Sequence, residues 1–303
     1  MKVFAAPLQG YTDKFFRNAH SVVIGGIEEY YTPFLRLEQG VIREKALSDV
    51  EKKDISFPER IVPQILVKSG PELFFFAEKL FSELGWKRID LNFGCPYPPV
   101  VKRGYGAGIL ENVPAMREVL ECTEKFPQIR FSVKCRLPEK EENLRILQEY
   151  PLTQIVLHPR KALQEYRGKP DEKAFKSFCA FRGKNPVIYN GDIFSPENVP
   201  SFVRENSLSV MTGRGLLRDP LLGRKLAGEY FSPEEENGLC RAFHDAFVAF
   251  LLEGTKKAEE KLPRLKTFWE YFLPQKEKRL RKRVLKCRSF AEYALAVKEI
   301  FET

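Results

Sequence analysis

Short stretches of apolar and β-favouring residues recur along the chain, and segments with the apolar spacing of amphipathic helices separate most of them. The helical spacing is clear at residues 14–23, 72–84, 114–126 and 141–150. Eight predicted strands alternate with helices over about 230 residues, which favours a (β/α)8 TIM barrel of the α/β class over an open sheet. The strands are predicted at about residues 3–6, 27–31, 60–66, 88–93, 130–135, 154–158, 187–190 and 208–212.

The pattern changes after Phe231, because a helix start follows directly and few strand or glycine signals come after it. We therefore predict a barrel domain over residues 1–231 and a C-terminal all-helical domain over residues 232–303. Residues 256–288 hold thirteen Lys and Arg residues, the first of them Lys256, against four Asp and Glu residues. Solvated helices usually mix the two signs, so this basic segment predicts a nucleic-acid partner. The candidate phosphate contacts in it are Arg279, Arg281, Lys282 and Arg283.

Four aromatic residues interrupt the basic segment. They are able to stack on bases, but their spacing favours the core of the helical domain for most of them. The four are Phe268, Trp269, Tyr271 and Phe272.

Composition narrows the class of protein. The chain has 303 residues, of which 43% are hydrophobic, so it can bury a large core. No apolar run approaches the length of a membrane span, and the N-terminus lacks the pattern of a signal peptide. The six cysteines show no close pair, which argues against a disulfide framework or a zinc site. We expect a cytoplasmic monomer without a membrane segment or a bound metal.

Cys95 differs from the other cysteines in its surroundings. A lone cysteine is usually a small buried hydrophobe, and we hold that interpretation for the other five. Cys95 follows a predicted strand that carries Asp90 and Asn92, at the position where barrels place their chemistry. Prolines at 96, 98 and 99 predict an irregular loop that lasts until about residue 109. Three glycines in this loop allow a close approach to a ligand.

Residues suited to binding or catalysis, many of them polar, lie at or just past the carboxyl ends of most predicted strands. In a barrel the carboxyl ends of the strands converge on one face, so these side chains are expected to meet there. The two glycine turns after the last two strands, at residues 190–192 and 213–215, predict a phosphate-bearing cofactor. The strand-end residues are Pro7, Gln9, Gln64, Asn92, Cys95, Lys134, Arg136, His158, Arg160, Asn190, Gly191, Asp192, Gly213 and Arg214.

Several motifs in this order resemble those of the tRNA-dihydrouridine synthases. Residues 6–17, APLQGYTDKFFR, are similar to the family's opening A-P-M-x-G-V-T-D-x-x-F-R. Residues 91–96, LNFGCP, and the following glycine loop match its cysteine signature. Residues 133–136, 158–160, 166–168, 190–192 and 213–215 fall in the family's order. The segments 263–269 and 283–285 are similar to the bacterial subfamily that modifies uridine 16 of the D loop.

The resemblance implies an FMN-bearing barrel that reduces the C5=C6 bond of uridine in tRNA with NADPH. Hydride from N5 of the reduced flavin would reach C6, and Cys95 would give a proton to C5. A thiol with a pKa near 8.5 is mostly protonated at neutral pH, as a general acid must be. The implied flavin contacts are Pro7, Leu8, Gln64, Lys134, His158, Asn190, Gly191, Asp192, Gly213 and Arg214. The implied uridine contacts are Asn92, Arg136, Arg160 and Tyr166.

The sequence departs from the family pattern at Leu8, where Met is usual, at Tyr97, where Ser is usual, and at Lys161, where Thr is usual. None of these changes removes a proton donor or a phosphate ligand. Two other functions remain open. An FMN barrel that acts on a free pyrimidine, as a dihydroorotate dehydrogenase does, shares the cysteine loop but leaves the basic helical segment unexplained. A non-catalytic RNA-binding barrel has no need for Cys95, Lys134 and His158 together.

Overall fold

A computed structural model describes residues 1–181, 183–255 and 257–302 of the chain. Nine of its strands form one sheet in which all neighbours are parallel, and two others form a separate antiparallel hairpin. In chain order the strands are β1 (Val3–Ala5), β2 (Glu29–Tyr31), β3 (Leu37–Glu38), β4 (Val41–Ile42), β5 (Ile61–Val62), β6 (Gln64–Ile65), β7 (Arg88–Phe93), β8 (Arg130–Leu137), β9 (Ile155–Lys161), β10 (Val187–Tyr189) and β11 (Val210–Thr212).

The parallel sheet closes on itself. Its order is β5-β2-β1-β11-β10-β9-β8-β7-β6, and the two terminal strands are neighbours in sequence on either side of Pro63. Pro63 has no N–H to donate, so one barrel strand is divided into two pieces. Its carbonyl still accepts a hydrogen bond from the Asp90 amide of β7 at 2.9 Å. The eight-stranded parallel barrel is therefore confirmed, whereas the β3–β4 hairpin was not predicted.

Helices follow the strands of the barrel, and the last four of the described helices form the region after residue 231. They are α1 (Lys14–Val23), α2 (Glu44–Ser48), α3 (Gly70–Ala77), α4 (Pro98–Val101), α5 (Val113–Thr123), α6 (Glu172–Ala180), α7 (Ser201–Glu205), α8 (Arg214–Arg218), α9 (Leu222–Leu226), α10 (Pro233–Leu252), α11 (Leu262–Trp269), α12 (Lys278–Lys286) and α13 (Phe290–Glu302). A π-helical turn, Glu78–Glu83, continues α3, and short 3₁₀ helices lie at Lys52–Asp54, Pro58–Arg60, Gly106–Glu111, Glu141–Gln148, Ala162–Gln164, Pro196–Asn198 and Ala258–Lys261.

Two local predictions were wrong. The segment expected as an α-helix at 141–150 is a 3₁₀ helix, Glu141–Gln148. The segment after Cys95 is not irregular, because it contains α4 and the 3₁₀ helix Gly106–Glu111. Pro98 and Pro99 occupy the first positions of α4, where no amide hydrogen bond is lost and a fixed φ favours the helix. Proline therefore starts a helical turn here instead of preventing one.

Residues 232–302, the helical region, pack directly on the barrel. Ser232 and Glu235 form a capping box that begins α10. Phe243 of α10 lies against Phe16 and His20 of α1, with ring centroids 5.6 and 5.7 Å away. One hydrophobic core runs from the barrel helices into this region. The division into two domains at residue 231 stays a prediction.

The interior of the barrel is a small apolar cluster that fills the space below the carboxyl ends of the strands. It consists of Phe4, Ala6, Tyr31, Val62, Val156, Ile188 and Met211. Within the described ranges, the chain has no helix that is both long and apolar enough to cross a membrane. Lys256 of the basic segment lies outside the described residues.

Candidate active site

A cleft with a volume of about 330 Å³ opens at the carboxyl ends of the barrel strands. Its walls come from the segments that follow the strands, as expected for a barrel of this class. Almost all the predicted barrel residues meet here. Those lining the cleft are Pro7, Leu8, Gln9, Gln64, Asn92, Cys95, Lys134, Arg136, His158, Tyr166, Asn190, Gly191, Asp192, Gly213 and Arg214.

A chain of hydrogen bonds forms the floor of the cleft. The Asn92 amide donates to Gln64 Oε1 at 2.7 Å, and Gln64 Nε2 donates to Asp90 Oδ2 at 2.7 Å. The Ser132 hydroxyl donates to the other carboxylate oxygen of Asp90 at 2.6 Å. Burial raises the pKa of Asp90 to about 6, although both hydrogen bonds and the charge of Lys134 oppose this shift. The floor thus holds a fixed carboxylate near the cation Lys134.

Asn92 also shapes the turn that carries Cys95. Its side-chain oxygen accepts hydrogen bonds from the backbone amides of Gly94 at 3.1 Å and Cys95 at 2.8 Å. Such an Asx-type turn ends a strand and fixes the direction of the chain. The Cys95 carbonyl accepts from the Ala107 amide at 3.0 Å, which ties the far side of the loop to the cysteine. Cys95 is therefore held at the cleft by both ends of its loop.

The Cys95 thiol is protonated at neutral pH. Burial is the largest influence and raises its pKa above the ordinary value for cysteine. A backbone hydrogen bond from Tyr97 and the charges of Arg136 and Lys134 act in the opposite direction. The thiol can therefore donate a proton, and the charges of Arg136 and Lys134 stabilise the thiolate that remains.

Lys134 and His158 lie on neighbouring strands of the cleft wall. Burial and repulsion from Arg136 lower the pKa of Lys134 to about 8. Burial, followed by repulsion from four nearby cations, lowers the pKa of His158 well below its usual range. His158 is therefore neutral, and its Nε2 accepts from the Arg160 guanidinium at 3.1 Å. The proton of the ring accordingly sits on Nδ1, as a hydrogen-bond donor.

Arg160 does not line the cleft. It is 0% exposed, and its guanidinium forms a bidentate pair with Asp192, with Nη1 3.0 Å from Oδ1. Arg214 donates to the same Oδ1 at 2.8 Å. Asp192 has φ +44°, a left-handed conformation that is unusual for a residue other than glycine. Two guanidiniums thus hold this strained turn at the edge of the cleft.

Guanidinium and aromatic groups alternate along one wall. Arg136 lies 5.5 Å and Arg214 lies 4.0 Å from the centroid of the Tyr166 ring. Arg214 is also 5.6 Å from the ring of Phe194, another residue of the cleft. Arg136 donates to the Glu165 carbonyl at 2.7 Å, which anchors the segment that carries Tyr166. Stacking of this kind leaves the guanidinium N–H groups that Glu165 and Asp192 do not engage available to a ligand.

The charges that line the cleft suit a ligand that carries a phosphate, such as FMN. Lys134, Arg136 and Arg214 line it as cations, while the carboxylate of Asp192 is already engaged by two arginines. This leaves an excess of positive charge for a phosphate. Gly213 has little room for a side chain, because a Cβ there would lie 3.2 Å from Ala6 and 3.4 Å from Leu8. The backbone of that turn therefore stays close to the apolar wall of the cleft.

The predicted contacts in the basic segment lie on α12, and none of them lines the cleft. Arg279, Lys282 and Arg283 border a groove between α12 and α13. Arg283 forms a bidentate pair with Glu299 of α13. Arg281 does not border this groove and donates to the carbonyls of Trp269 at 2.9 Å and Glu270 at 3.3 Å.

Sequence reasoning missed several residues of the cleft. Phe268, Trp269 and Phe272 are buried in the helical core as expected, but Tyr271 is half-buried and lines the cleft. Tyr11, Phe34 and Phe194 also line it, and buried Ser132 donates a hydrogen bond to Asp90 beneath it. Ser132 was detectable, because the alternation of β8 places it on the same face as Lys134. Among the described residues, no cluster of His, Cys, Asp and Glu is arranged to hold a metal ion.

The fold resembles solved structures at low sequence identity. Histamine dehydrogenase from Rhizobium sp. 4-9 aligns with a TM-score of 0.56 at 13% identity, over 81% of this chain and 49% of that one, so this chain spans about half its length. A 2-naphthoyl-CoA reductase in complex with 2-naphthoyl-CoA aligns with a TM-score of 0.54 at 12% identity, over 82% of this chain and 53% of that one. These likenesses establish the barrel fold.

Similar curated proteins cover most of the chain. The tRNA-dihydrouridine(16) synthase of Pseudomonas syringae pv. tomato is 29% identical over 244 residues, 75% of each chain. A probable tRNA-dihydrouridine synthase of Treponema pallidum is 24% identical over 319 aligned positions, 98% of this chain and 92% of the relative. The family model for dihydrouridine synthase (Dus) matches residues 4–296. The resemblance found in the motifs and the prediction of an enzyme are thus confirmed: the chain belongs to the dihydrouridine synthase family.

Proposed function

We propose that this chain reduces the C5=C6 bond of uridine in tRNA to 5,6-dihydrouridine, with FMN in the cleft and NADPH as the reductant. The observation that carries the proposal is the position of Cys95 in the same cleft as Lys134, Arg136 and Arg214. The reaction adds a hydride and a proton across one double bond. A hydride source and an acid must therefore both reach that bond. Bound FMN, when reduced by NADPH, supplies the hydride that adds to C6.

The remaining chemistry belongs to side chains of the protein. Addition at C6 moves the electrons of the double bond toward C5 and the C4 carbonyl, so C5 becomes basic. The Cys95 S–H bond breaks, its proton joins C5, and the sulfur keeps the electron pair as a thiolate. Arg136 and Lys134 stabilise this thiolate, since both already lower the pKa of Cys95 against the larger effect of burial. A proton from solvent then restores the thiol.

Other residues of the cleft bind and orient. Lys134, with His158 as a neutral donor, would stabilise negative charge on a bound isoalloxazine, and Arg214 with the turns at Asn190–Asp192 and Gly213 would hold the phosphate. Pro7, Leu8 and Gln64 would form the remaining contacts to the cofactor. Arg136 and Tyr166 contact the uridine. Asn92 and Arg160 act through their neighbours, because Asn92 holds the Cys95 turn and buried Arg160 holds Asp192.

The proposed target is a uridine of the D loop. Position 16 is favoured by the likeness to the tRNA-dihydrouridine(16) synthase of Pseudomonas syringae pv. tomato. The basic face of α12 supports binding of the RNA, with Arg279 and Lys282 available for phosphates.

Mapping dihydrouridine in tRNA from cells with and without this protein tests the proposal. The expected result is loss of one D-loop dihydrouridine and its return when the gene is restored. An unchanged dihydrouridine pattern in all tRNAs would refute the proposed function.

A further inference from the structure

The helical region contributes one aromatic side chain to the cleft. Among the described residues after 231, only Tyr271 lines it. Its neighbours Phe268, Trp269 and Phe272 are all buried in the helical core. Leu273, with φ +46°, turns the backbone, and its amide donates to the Arg218 carbonyl of the barrel at 3.2 Å. The backbone at this point is therefore bent so that Tyr271 faces the barrel.

A set of polar contacts, the latch, fixes Tyr271 against the first loop of the barrel. The Tyr11 hydroxyl donates to Glu270 Oε2 at 2.6 Å, and Arg264 donates to the Tyr11 carbonyl at 2.6 Å. Arg264 also pairs with Asp13 at 2.6 Å. This loop includes Leu8, a predicted cofactor contact. The latch thus sets the position of Tyr271 relative to the loop that carries Leu8.

The Tyr271 ring has free surface for a ligand. Tyr11 meets it in a T-shaped contact with centroids 5.1 Å apart, so the two rings are not stacked face to face. Tyr271 remains partly exposed, and its hydroxyl makes no hydrogen bond to any residue in the described ranges. Tyr11 also lines the cleft, so the two rings form an aromatic wall. A flat ring of this kind can pack against any nucleobase, because every base has a π-face.

A uridine that reacts in this cleft must leave its stacked position in the RNA. Enzymes that modify bases compensate the lost stacking with aromatic or apolar side chains. We propose that Tyr271 is a positioning residue that stacks on the extruded RNA segment and holds the reacting uridine over the cofactor. The inference rests on the proposed function. The inference also gives a reason for the latch, which joins the helical region to the first loop of the barrel. The RNA and the cofactor must keep one relative position during the reaction, and the latch fixes the two parts that would bind them.

Pre-reduced enzyme mixed with increasing concentrations of tRNA tests this inference through the rate of flavin reoxidation. Tyr271→Leu retains apolar bulk without a flat ring, and Tyr271→Phe retains the ring. Tyr271→Leu should lose roughly 5- to 150-fold in the ratio of the limiting rate to the half-saturating tRNA concentration. Tyr271→Phe should stay near wild type. Tyr230→Ala is the matched control, since Tyr230 is 90% exposed and does not line the cleft.

FMN content and the rate of flavin reduction by NADPH should be unchanged in both Tyr271 variants, which also shows that they are folded. Wild-type reoxidation kinetics in Tyr271→Leu, or an equally large loss in Tyr271→Phe, would overturn the stacking role. A defect confined to reduction by NADPH would overturn it too, by assigning Tyr271 to the dinucleotide. If the proposed function itself is wrong, no tRNA reoxidises the flavin of the wild-type enzyme. If only the role of Tyr271 is wrong, tRNA reoxidises the wild-type enzyme and Tyr271→Leu at the same rate.

Discussion

Gly106 lies directly against Cys95. A Cβ at residue 106 would come within 2.7 Å of the Cys95 carbonyl oxygen and 2.8 Å of its Cβ. Gly106 also has φ +57°, a conformation that other residues adopt at a cost of about 1–2 kcal/mol. The loop therefore needs glycine at this position both for its backbone and for the place of the thiol.

Gly106→Ala should shift Cys95 away from its position in the cleft. We expect FMN content and reduction by NADPH to stay near wild type, while reoxidation by tRNA slows by about 100-fold, as misplacement of a reacting group by about 1 Å can cost. Gly104→Ala is the matched control, because Gly104 has φ +81° but no atom within 4 Å of an added Cβ. Equal reoxidation rates in the two variants would show that the steric conflict with Cys95 has no effect of its own on the reaction, and that any loss comes from backbone strain.

Lys134→Ala should weaken FMN binding or slow flavin reduction. The buried ammonium is the cation assigned to the isoalloxazine, and burial with repulsion from Arg136 lowers the pKa of Lys134 to about 8. Flavin occupancy after purification and stopped-flow reduction by NADPH measure the effect. Lys102→Ala, in an exposed part of the cysteine loop, serves as the control. Unchanged occupancy and reduction in Lys134→Ala would remove this residue from the cofactor site.

The basic face of α12 should bind phosphates unequally. Arg279 and Lys282 have no carboxylate partner among the described residues, whereas Arg283 pairs with Glu299 and Arg281 donates to backbone carbonyls. The double variant Arg279→Gln with Lys282→Gln should weaken tRNA binding. It should also reduce the slope of log affinity against log salt by roughly 0.7 to 0.9 for each phosphate that is no longer neutralised. Arg283→Gln should change the slope less. Identical slopes for wild type and the double variant would mean that the RNA is held elsewhere.

Acid should destabilise the protein through its histidines. Burial lowers the pKa of His20 to about 4, and burial also lowers the pKa of His158 and His244. Below about pH 6.5 the unfolded chain binds protons at these three side chains, whereas the folded chain does not. The stability that the neutral histidines contribute is therefore full above pH 6.5 and is lost as the pH falls from 6.5 to 4. His20 alone accounts for up to about 3 kcal/mol of that loss. Urea unfolding at pH 7 and pH 5 measures it, and equal free energies of unfolding would contradict the burial of these rings as neutral groups.

The sequence predicted the barrel and most of the cleft because the alternation of strands with helices determines where the carboxyl ends of the strands meet. Lys134, His158 and Asn190 lie on or directly after three different strands, and topology brings them together regardless of their detailed contacts. Tyr271 was not assigned to the cleft, because its position depends on the bend at Leu273 and on the latch to Tyr11. Arg160 was predicted to face the substrate, but its partner Asp192 lies 32 residues further along the chain and holds it in the interior. Contacts between distant segments leave no local signal in the sequence.

In the proposed reaction Cys95 supplies the proton that completes uridine reduction, and single-turnover reoxidation of reduced enzyme by tRNA isolates this step. Cys95→Ala should retain FMN and its reduction by NADPH but lose about 100- to 10,000-fold in reoxidation rate, the usual contribution of a general acid. Cys179→Ala, a half-buried cysteine on α6 outside the cleft, should react as wild type does. A Cys95→Ala enzyme that forms dihydrouridine at the wild-type rate would show that the proton comes from another group.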